Sequence, residues 1–211
     1  MPLVRHDTIV PVTPDIDAWD AWSPRQVAAR LAGIDLPWCV AAGWALDLFR
    51  GGQTRPHGDL EFTVPAARWP DVAARFGELD FWVPCDGVVH PATERTLREE
   101  HQTWAWEPSV GRWRFDVFRE PHEGDVWICR RDPRIRMPFA DLVEHDADGI
   151  PYLAPEIALL FKAKARRDKD EADFAGVLPL LDTRRRAWLD DALALVHPDH
   201  PWRAALSRPS R

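Results

Sequence analysis

Apolar and polar positions alternate most clearly over Asp59-Leu60-Glu61-Phe62-Thr63-Val64. Successive side chains of a strand point to opposite faces, so Leu60, Phe62 and Val64 share one face and Asp59, Glu61 and Thr63 the other. Residues 36–42 are apolar almost throughout and predict a core strand. Between the two, residues 44–50 have the spacing of a short amphipathic helix, opened by Gly43 and closed by Gly51-Gly52. Upstream, Ser23 followed by Pro24 reads as an N-cap with proline at the first helical position. That helix is expected to run to about residue 31, with Gly33 ending it. Residues 1–22 hold three prolines and read as an irregular lead-in.

Downstream, the pattern predicts a helix over 66–77 and short strands over 79–83 and 87–90. A hairpin of strands 101–107 and 111–118 follows, turning at Pro108 and Ser109. In its second arm Phe115 and Val117 face one way, and Arg112, Arg114, Asp116 and Phe118 the other. A strand is expected over 125–130, then a proline- and charge-rich stretch to Gly149. From Pro155 the texture turns helical: a first helix through Lys164, a second over about 169–181, and a third over 183–196. Short connections predict an antiparallel helical pack. The tail from Leu206 is expected to fray. These textures divide the chain softly into 1–150 and 151–211.

Composition narrows the classes. The chain has 211 residues, room for one domain of good size or one domain plus a helical extension. A net charge of −7 argues against general nucleic-acid binding and against anionic lipid. No apolar run approaches membrane-spanning length, and the N-terminus lacks an apolar core followed by small residues, so a cytoplasmic protein is expected. Cys39, Cys85 and Cys129 are scattered and form no metal-type pair, which makes buried, reduced thiols the default. Twelve tryptophans are unusual. Trp104, Trp106 and Trp113 could floor a pocket or pack in the core.

Two carboxylates side by side on one strand face repel each other unless a cation sits between them. Oxygen ligands of that kind suit Mg²⁺, which takes one or two protein carboxylates and shares the rest with substrate phosphates. The bland alternative is a solvated strand edge. Spacing does not decide, because Asp15/Asp17, Asp146/Asp148 and Asp168/Asp170 repeat it. What singles out Asp59 and Glu61 is the strand pattern with a glycine-turned helix just before it. Asp116 adds a third strand-borne acid, Arg55 and His57 precede the pair, and Lys162, Lys164 and Lys169 stand near the start of the helical part. Carboxylates that hold a divalent metal, with cations for a polyphosphate, are the equipment of phosphoryl or nucleotidyl transfer. Each residue also has an ordinary role: Gly43 as a turn, Asp47 paired with an arginine such as Arg55, His57 capping a turn, Asp116 salt-bridged, Lys162 snorkelling.

Ala42-Gly43-Trp44-Ala45-Leu46-Asp47, followed by Thr54-Arg55-Pro56-His57-Gly58-Asp59-Leu60-Glu61, resembles the nucleotidyltransferase superfamily, and within it the aminoglycoside and lincosamide nucleotidyltransferases. Arg114-Phe115-Asp116-Val117-Phe118 matches that group's later acid, and residues 154–171 resemble its C-terminal helical pattern. The resemblance implies an α+β nucleotidyltransferase fold: a mixed twisted sheet flanked by helices, with a C-terminal helical bundle. It implies transfer of a nucleoside monophosphate, AMP from ATP or another NTP, with Mg²⁺, onto a hydroxyl of a small aminoglycoside- or lincosamide-like acceptor. By resemblance Asp59 and Glu61 are metal ligands, and Asp116 is a third ligand or the base. Gly43, Trp44, Arg55, His57, Lys162 and Lys169 attend the nucleotide, and a homodimer is the prior. Two departures stand out. Ala42 replaces the first glycine of the family's pair, and Glu61 is one methylene longer than aspartate. They keep open a weak or inactive nucleotide-binding regulator or antitoxin on the same fold, and beyond it a structural, partner-binding domain.

Overall fold

The computed structural model describes residues 13–207; the first twelve residues of the expected lead-in and the last four of the tail lie outside them. Helix α1 (Pro24–Arg30) begins as its sequence predicts: Ser23 and Gln26 form a reciprocal capping box, with Pro24 in the first turn. Strand β1 is only Cys39–Val40, shorter than the apolar run suggested. Helix α2 (Ala42–Arg50) leaves it at once and ends at Gly51, which is left-handed at φ 83°. Strand β2 (Glu61–Pro65) carries the alternation, and Asp59 lies just before it in irregular backbone.

The expected helix over 66–77 resolves into a 3-10 turn and a five-residue helix α3 (Trp69–Ala73), because Pro70 and Gly77 confine regular helix between them. Then follow β3 (Asp80–Cys85), β4 (Val88–Pro91), a capped helix α4 (Glu94–Glu99) that the pattern did not announce, and the hairpin β5 (Gln102–Glu107) and β6 (Arg112–Glu120). The proline- and charge-rich stretch up to Gly149, for which no element was predicted, holds several short ones. After β7 (His122–Glu123) and β8 (Val126–Ile128) it holds β9 (Arg136–Pro138), α5 (Phe139–Leu142) and β10 (Val143–His145). Each is four residues or fewer, too short to show a period.

Strand β11 (Pro151–Leu153) and helices α6 (Pro155–Lys162), α7 (Asp168–Val177), α8 (Thr183–Val196) and α9 (Trp202–Leu206) complete the chain. The tail does not fray at Leu206: Trp202 stacks on Phe174 at 4.2 Å and Leu206 is buried.

Eight strands form one mixed sheet in the order β10-β11-β1-β2-β6-β5-β3-β4, and β7, β8 and β9 form a small second sheet. Two of the main sheet's pairings, β1 with β11 and β2 with β6, are parallel. The texture change at residue 150 falls just before β11, whose backbone belongs to the main sheet. Phe62, Val64, Phe115 and Val117 put one face into the main core, fully buried. The other face carries Glu61, Thr63, Asp116 and Gln102 in matched positions. Beyond Asp116 on that face lies a second apolar cluster of Trp82, Val89 and Trp113, with Trp19, Trp104 and Trp106 packed on it. The three tryptophans singled out by sequence are therefore packing residues. No helix of the described residues is long and apolar enough to cross a membrane.

Candidate active site

A cavity of about 400 Å³ opens over the polar face of β2 and β6, within the size range of small-molecule sites. Asp59, Glu61, Gly43, Arg55, His57, Lys162 and Lys169 all line it. Asp116 and Trp44 do not; they stand behind Gln102 and His57 respectively.

The two strand acids are brought together by parallel pairing, which sets Glu61 directly beside Asp116 in register. Asp116 is 4 % exposed. Its Oδ2 accepts from Gln102 Nε2 at 2.6 Å, while Oδ1 has no hydrogen-bond partner. Trp104, its cross-strand neighbour, lies close enough to favour the anion but closes no hydrogen bond of normal geometry. Burial raises the Asp116 carboxyl to about 7, helped by the charge of Asp59, and the Gln102 and Trp104 donors pull against it. Burial likewise raises Glu61 to about 8, with Asp59 and Asp116 adding repulsion and Lys162 and Lys169 opposing it. An orphaned buried oxygen and carboxylates that repel one another fit a hard cation with oxygen ligands. Among the described residues no group of three or more His, Cys, Asp or Glu is arranged to close around one ion. The chemistry of the donors thus suits a metal whose remaining ligands come from a bound substrate or water.

Turn residues 53–57 are held by charges from two helices, α2 and α7. Asp47, 2 % exposed on α2, accepts from Thr54 Oγ1 at 2.6 Å and from Thr54 N at 3.1 Å, and bonds His57 Nε2 at 2.7 Å. A carboxylate only accepts, so Nε2 carries the proton and Nδ1 accepts from Arg55 Nη1 at 3.2 Å. His57 stacks on Trp44 at 4.5 Å. Burial and Arg55 push its pKa down against the pull of Asp47, so the ring is neutral near pH 7. The expected Asp47–Arg55 pair does not form. Arg55 reaches the other way, to Asp173 on α7 at 3.0 Å, and the arginine beside Asp47 is Arg50 at 3.7 Å. Gly43 is required here by contact: a Cβ would lie 2.6 Å from Arg55 Nη2 and 2.7 Å from His57 Cε1. Ala42 is left-handed at φ 50°, the conformation for which glycine is suited.

Lys162 is 8 % exposed, and its Nζ bonds Asp170 at 3.1 Å and Asp173 at 2.9 Å. Asp170 also holds Arg167 at 2.7 Å. Lys162 is thus a knot in a buried network, while exposed Lys169 lines the cavity with no carboxylate in ion-pair range among the described residues.

Sequence reasoning missed the other end of the cavity, where Phe118 and Glu120 of β6 meet His101, Trp127, Arg130, Arg131, Phe161 and Lys164. Glu120 is 3 % exposed and accepts from Trp127 Nε1 at 3.0 Å and from Arg130 at 3.1 Å. The only signal was the alternation of β6, which continues two residues past Phe118.

Comparison with known proteins shows what the chain is similar to. Residues 24–100 match the family model described as aminoglycoside-2''-adenylyltransferase. Among solved structures, the chain resembles that of the lincosamide antibiotic adenylyltransferase LnuA in its lincomycin-bound crystal form, with 13 % identity, a TM-score of 0.51, and 78 % of this chain and 96 % of that one covered. It also resembles the solution structure of the antibiotic-resistance factor ANT(2'')-Ia, with 15 % identity, a TM-score of 0.56, and 86 % and 91 % covered. No curated protein matches the sequence. The fold is that of these nucleotidyltransferases, and the resemblance to the aminoglycoside and lincosamide group stands.

Proposed function

We propose that this chain is a Mg²⁺-dependent nucleotidyltransferase that moves a nucleoside monophosphate, AMP from ATP, onto a hydroxyl of a small molecule. One observation carries the reading: Glu61 and Asp116 stand side by side on parallel strands, mutually repelling and with one oxygen unclaimed, at a cavity shared with the glycine turn of α2. The family match over residues 24–100, and relatives whose names state that they adenylylate antibiotics, support an acceptor of antibiotic-like size.

Asp59 and Glu61 would hold the ion. Held there, a divalent cation would supply positive charge against the charge that develops on the transferred phosphoryl group. The chain supplies the rest. Gly43, which lines the cavity at the start of α2, lets Arg55 and His57 pack directly on that turn beside the triphosphate site. Lys169 and Arg167 counter phosphate charge, and Arg167 lies within the field of Glu61 and Asp59. Asp116, raised to about 7 and standing behind Gln102, would take the proton of the acceptor hydroxyl through an intervening water, while Gln102 fixes its Oδ2. Arg55, His57 and Lys162 position the loop and the carboxylates through the network of Asp47, Asp170 and Asp173.

The test is pyrophosphate release from ATP and MgCl₂ across a panel of hydroxylated acceptors, with Glu61→Gln alongside. Turnover is expected to fall about a thousandfold in the variant, as several kcal/mol of metal-borne stabilisation is lost. The same variant is expected to melt higher, because a half-buried, repelled carboxylate is gone. No Mg²⁺-dependent nucleotide binding and no turnover on any acceptor overturns the reading. Tight nucleotide binding without turnover selects the regulator or antitoxin alternative, which the strained Ala42 favours.

A further inference from the structure

Resting on that reading, we propose that the acceptor is an anion: a hydroxylated molecule with an apolar, planar portion and a carboxylate or phosphate, seated between Phe118, Phe161 and Arg131 at the end of the cavity away from Glu61. A polycationic aminoglycoside does not fit there.

Position comes first. Phe118 and Glu120 are two and four residues beyond Asp116 on the same strand face, so Glu120 lies about 13 Å along the sheet from Asp116 at the usual rise of a strand. The side chains gathered there are cationic and aromatic. The Arg130 guanidinium sits 4.8 Å from the Phe161 ring and 5.2 Å from Phe118, and Arg131 sits 5.8 Å from Phe161. His101 faces Phe118 at 6.0 Å, nearly parallel. The guanidinium planes lie over the ring faces, so this end presents layered aromatic and cationic surfaces on which a flat group bearing an anion can stack.

Charge decides the sign of the ligand. Glu120, the carboxylate of this end, is committed to Arg130 and Trp127. Arg131 and Lys164 have no carboxylate within ion-pair distance among the described residues. Arg119 lies just beneath, 6 % exposed. It donates to the Thr103 hydroxyl and to the carbonyls of Leu97 and Glu100, so its hydrogen bonds are satisfied by neutral groups, and the Glu100 carboxylate opposes its charge without a direct ion pair among the described residues. His101 registers the sum: burial, then Arg130, Arg119, Arg131 and Lys164, hold it down to about 4. Glu61 registers a separate pair, Lys162 and Lys169. The cavity of this acidic protein therefore has two distinct cationic groups, one beside the carboxylates and one at the aromatic end. The first suits the triphosphate. The second repels a polyamine and is left for an anionic group on the acceptor.

Calorimetry on the full chain, saturated with a non-hydrolysable ATP analogue and Mg²⁺, tests this with a matched pair of probes: p-nitrophenyl glucuronide and p-nitrophenyl glucoside. The acid is expected to bind at least about tenfold tighter, the worth of one charge-assisted hydrogen bond. Phenyl phosphate against phenol asks whether phosphate serves as well as carboxylate. Arg131→Ala with Lys164→Ala, both at exposed positions, is expected to erase the preference while the ATP analogue binds as before. Arg131→Glu with Lys164→Glu should turn it toward kanamycin. Equal binding of the matched probes, tighter binding of kanamycin to the unaltered chain, or loss of ATP-analogue affinity in the alanine variant overturns the proposal. If the ATP analogue fails to bind while the acid preference persists in its absence, the nucleotidyltransferase reading falls and the anion subsite stands.

Discussion

At one end of the cavity the charges are tied to one another. Lys162 is held by Asp170 and Asp173, Arg55 by Asp173, and His57 by Asp47. At the other end Arg131 and Lys164 face open space, and Arg119 is surrounded by neutral acceptors. The first end joins α2, the turn before β2, α6 and α7 into one frame: short ties hold each half, and the Arg55–Asp173 pair, 118 positions apart, links the two. The second end has no such frame beyond the Glu120–Arg130 pair. A site whose charges are already satisfied holds its shape before any ligand arrives, whereas unsatisfied charges are an invitation to one. The difference separates two jobs, positioning reactive groups and recognising a ligand, within a single cavity.

The sharpest way to break this contrast is to remove a tie. Asp173→Ala leaves Lys162 with one carboxylate and Arg55 with none, inside a network where Asp173 is 3 % exposed. The expected cost is about 3 kcal/mol of unfolding free energy, the scale of a broken buried ion pair. Arg131→Ala, by contrast, should change stability by no more than about 0.5 kcal/mol, as for an exposed side chain with no ion-pair partner among the described residues. Urea unfolding of both variants reads the difference directly. A loss below about 1 kcal/mol for Asp173→Ala would mean that the frame is not structural.

A smaller effect concerns acid. His101 is held down to about 4 by burial and by the cations around it, against an ordinary value of 6.5. The unfolded chain therefore binds a proton at His101 between pH 6.5 and 4 that the folded chain refuses. The stabilisation is complete above the upper value and is lost as pH falls toward the lower one. His101→Gln removes this dependence. Its melting temperature is expected to drop less than that of the unaltered chain between pH 7 and pH 4.5, by the equivalent of about 1 kcal/mol after allowing for solvent screening. Equal drops would show that the arginine end exerts no field on the ring.

How much of each end could be read from residues follows from the same contrast. The carboxylate end was legible because its pieces are local: a glycine turn, a helix and an alternating strand run consecutively from Gly43 to Glu61. Asp116 could be named from alternation, but its place beside Glu61 depends on β2 pairing in parallel with β6 rather than with its sequence neighbour β3. The arginine end is assembled from β6, the segment after β8 and the end of α6, none carrying a spacing that announces the others. Arg130 and Arg131 read as surface charge until Glu120 and Phe161 are placed beneath them. For the same reason, Asp47 was matched to the wrong arginine: the true partner of Arg55 is on α7.

Ala42 sharpens the comparison at its finest scale, because there the well-framed end holds backbone strain at the entry to α2. Its φ of 50° costs an alanine about 1–2 kcal/mol, and the residue before it offers no side-chain cap to the helix. Glycine removes that cost but gives back about 0.5–1 kcal/mol through the greater freedom of the unfolded chain. Ala42→Gly should therefore stabilise the protein by a net amount of about 0.5–1 kcal/mol, visible as a small rise in melting temperature. It should leave the acid preference of the arginine end untouched, since no tie runs from α2 to Arg131. If the variant melts lower, the turn into α2 does not hold the left-handed geometry. The departure from the family's paired glycines would then need a cause other than backbone strain.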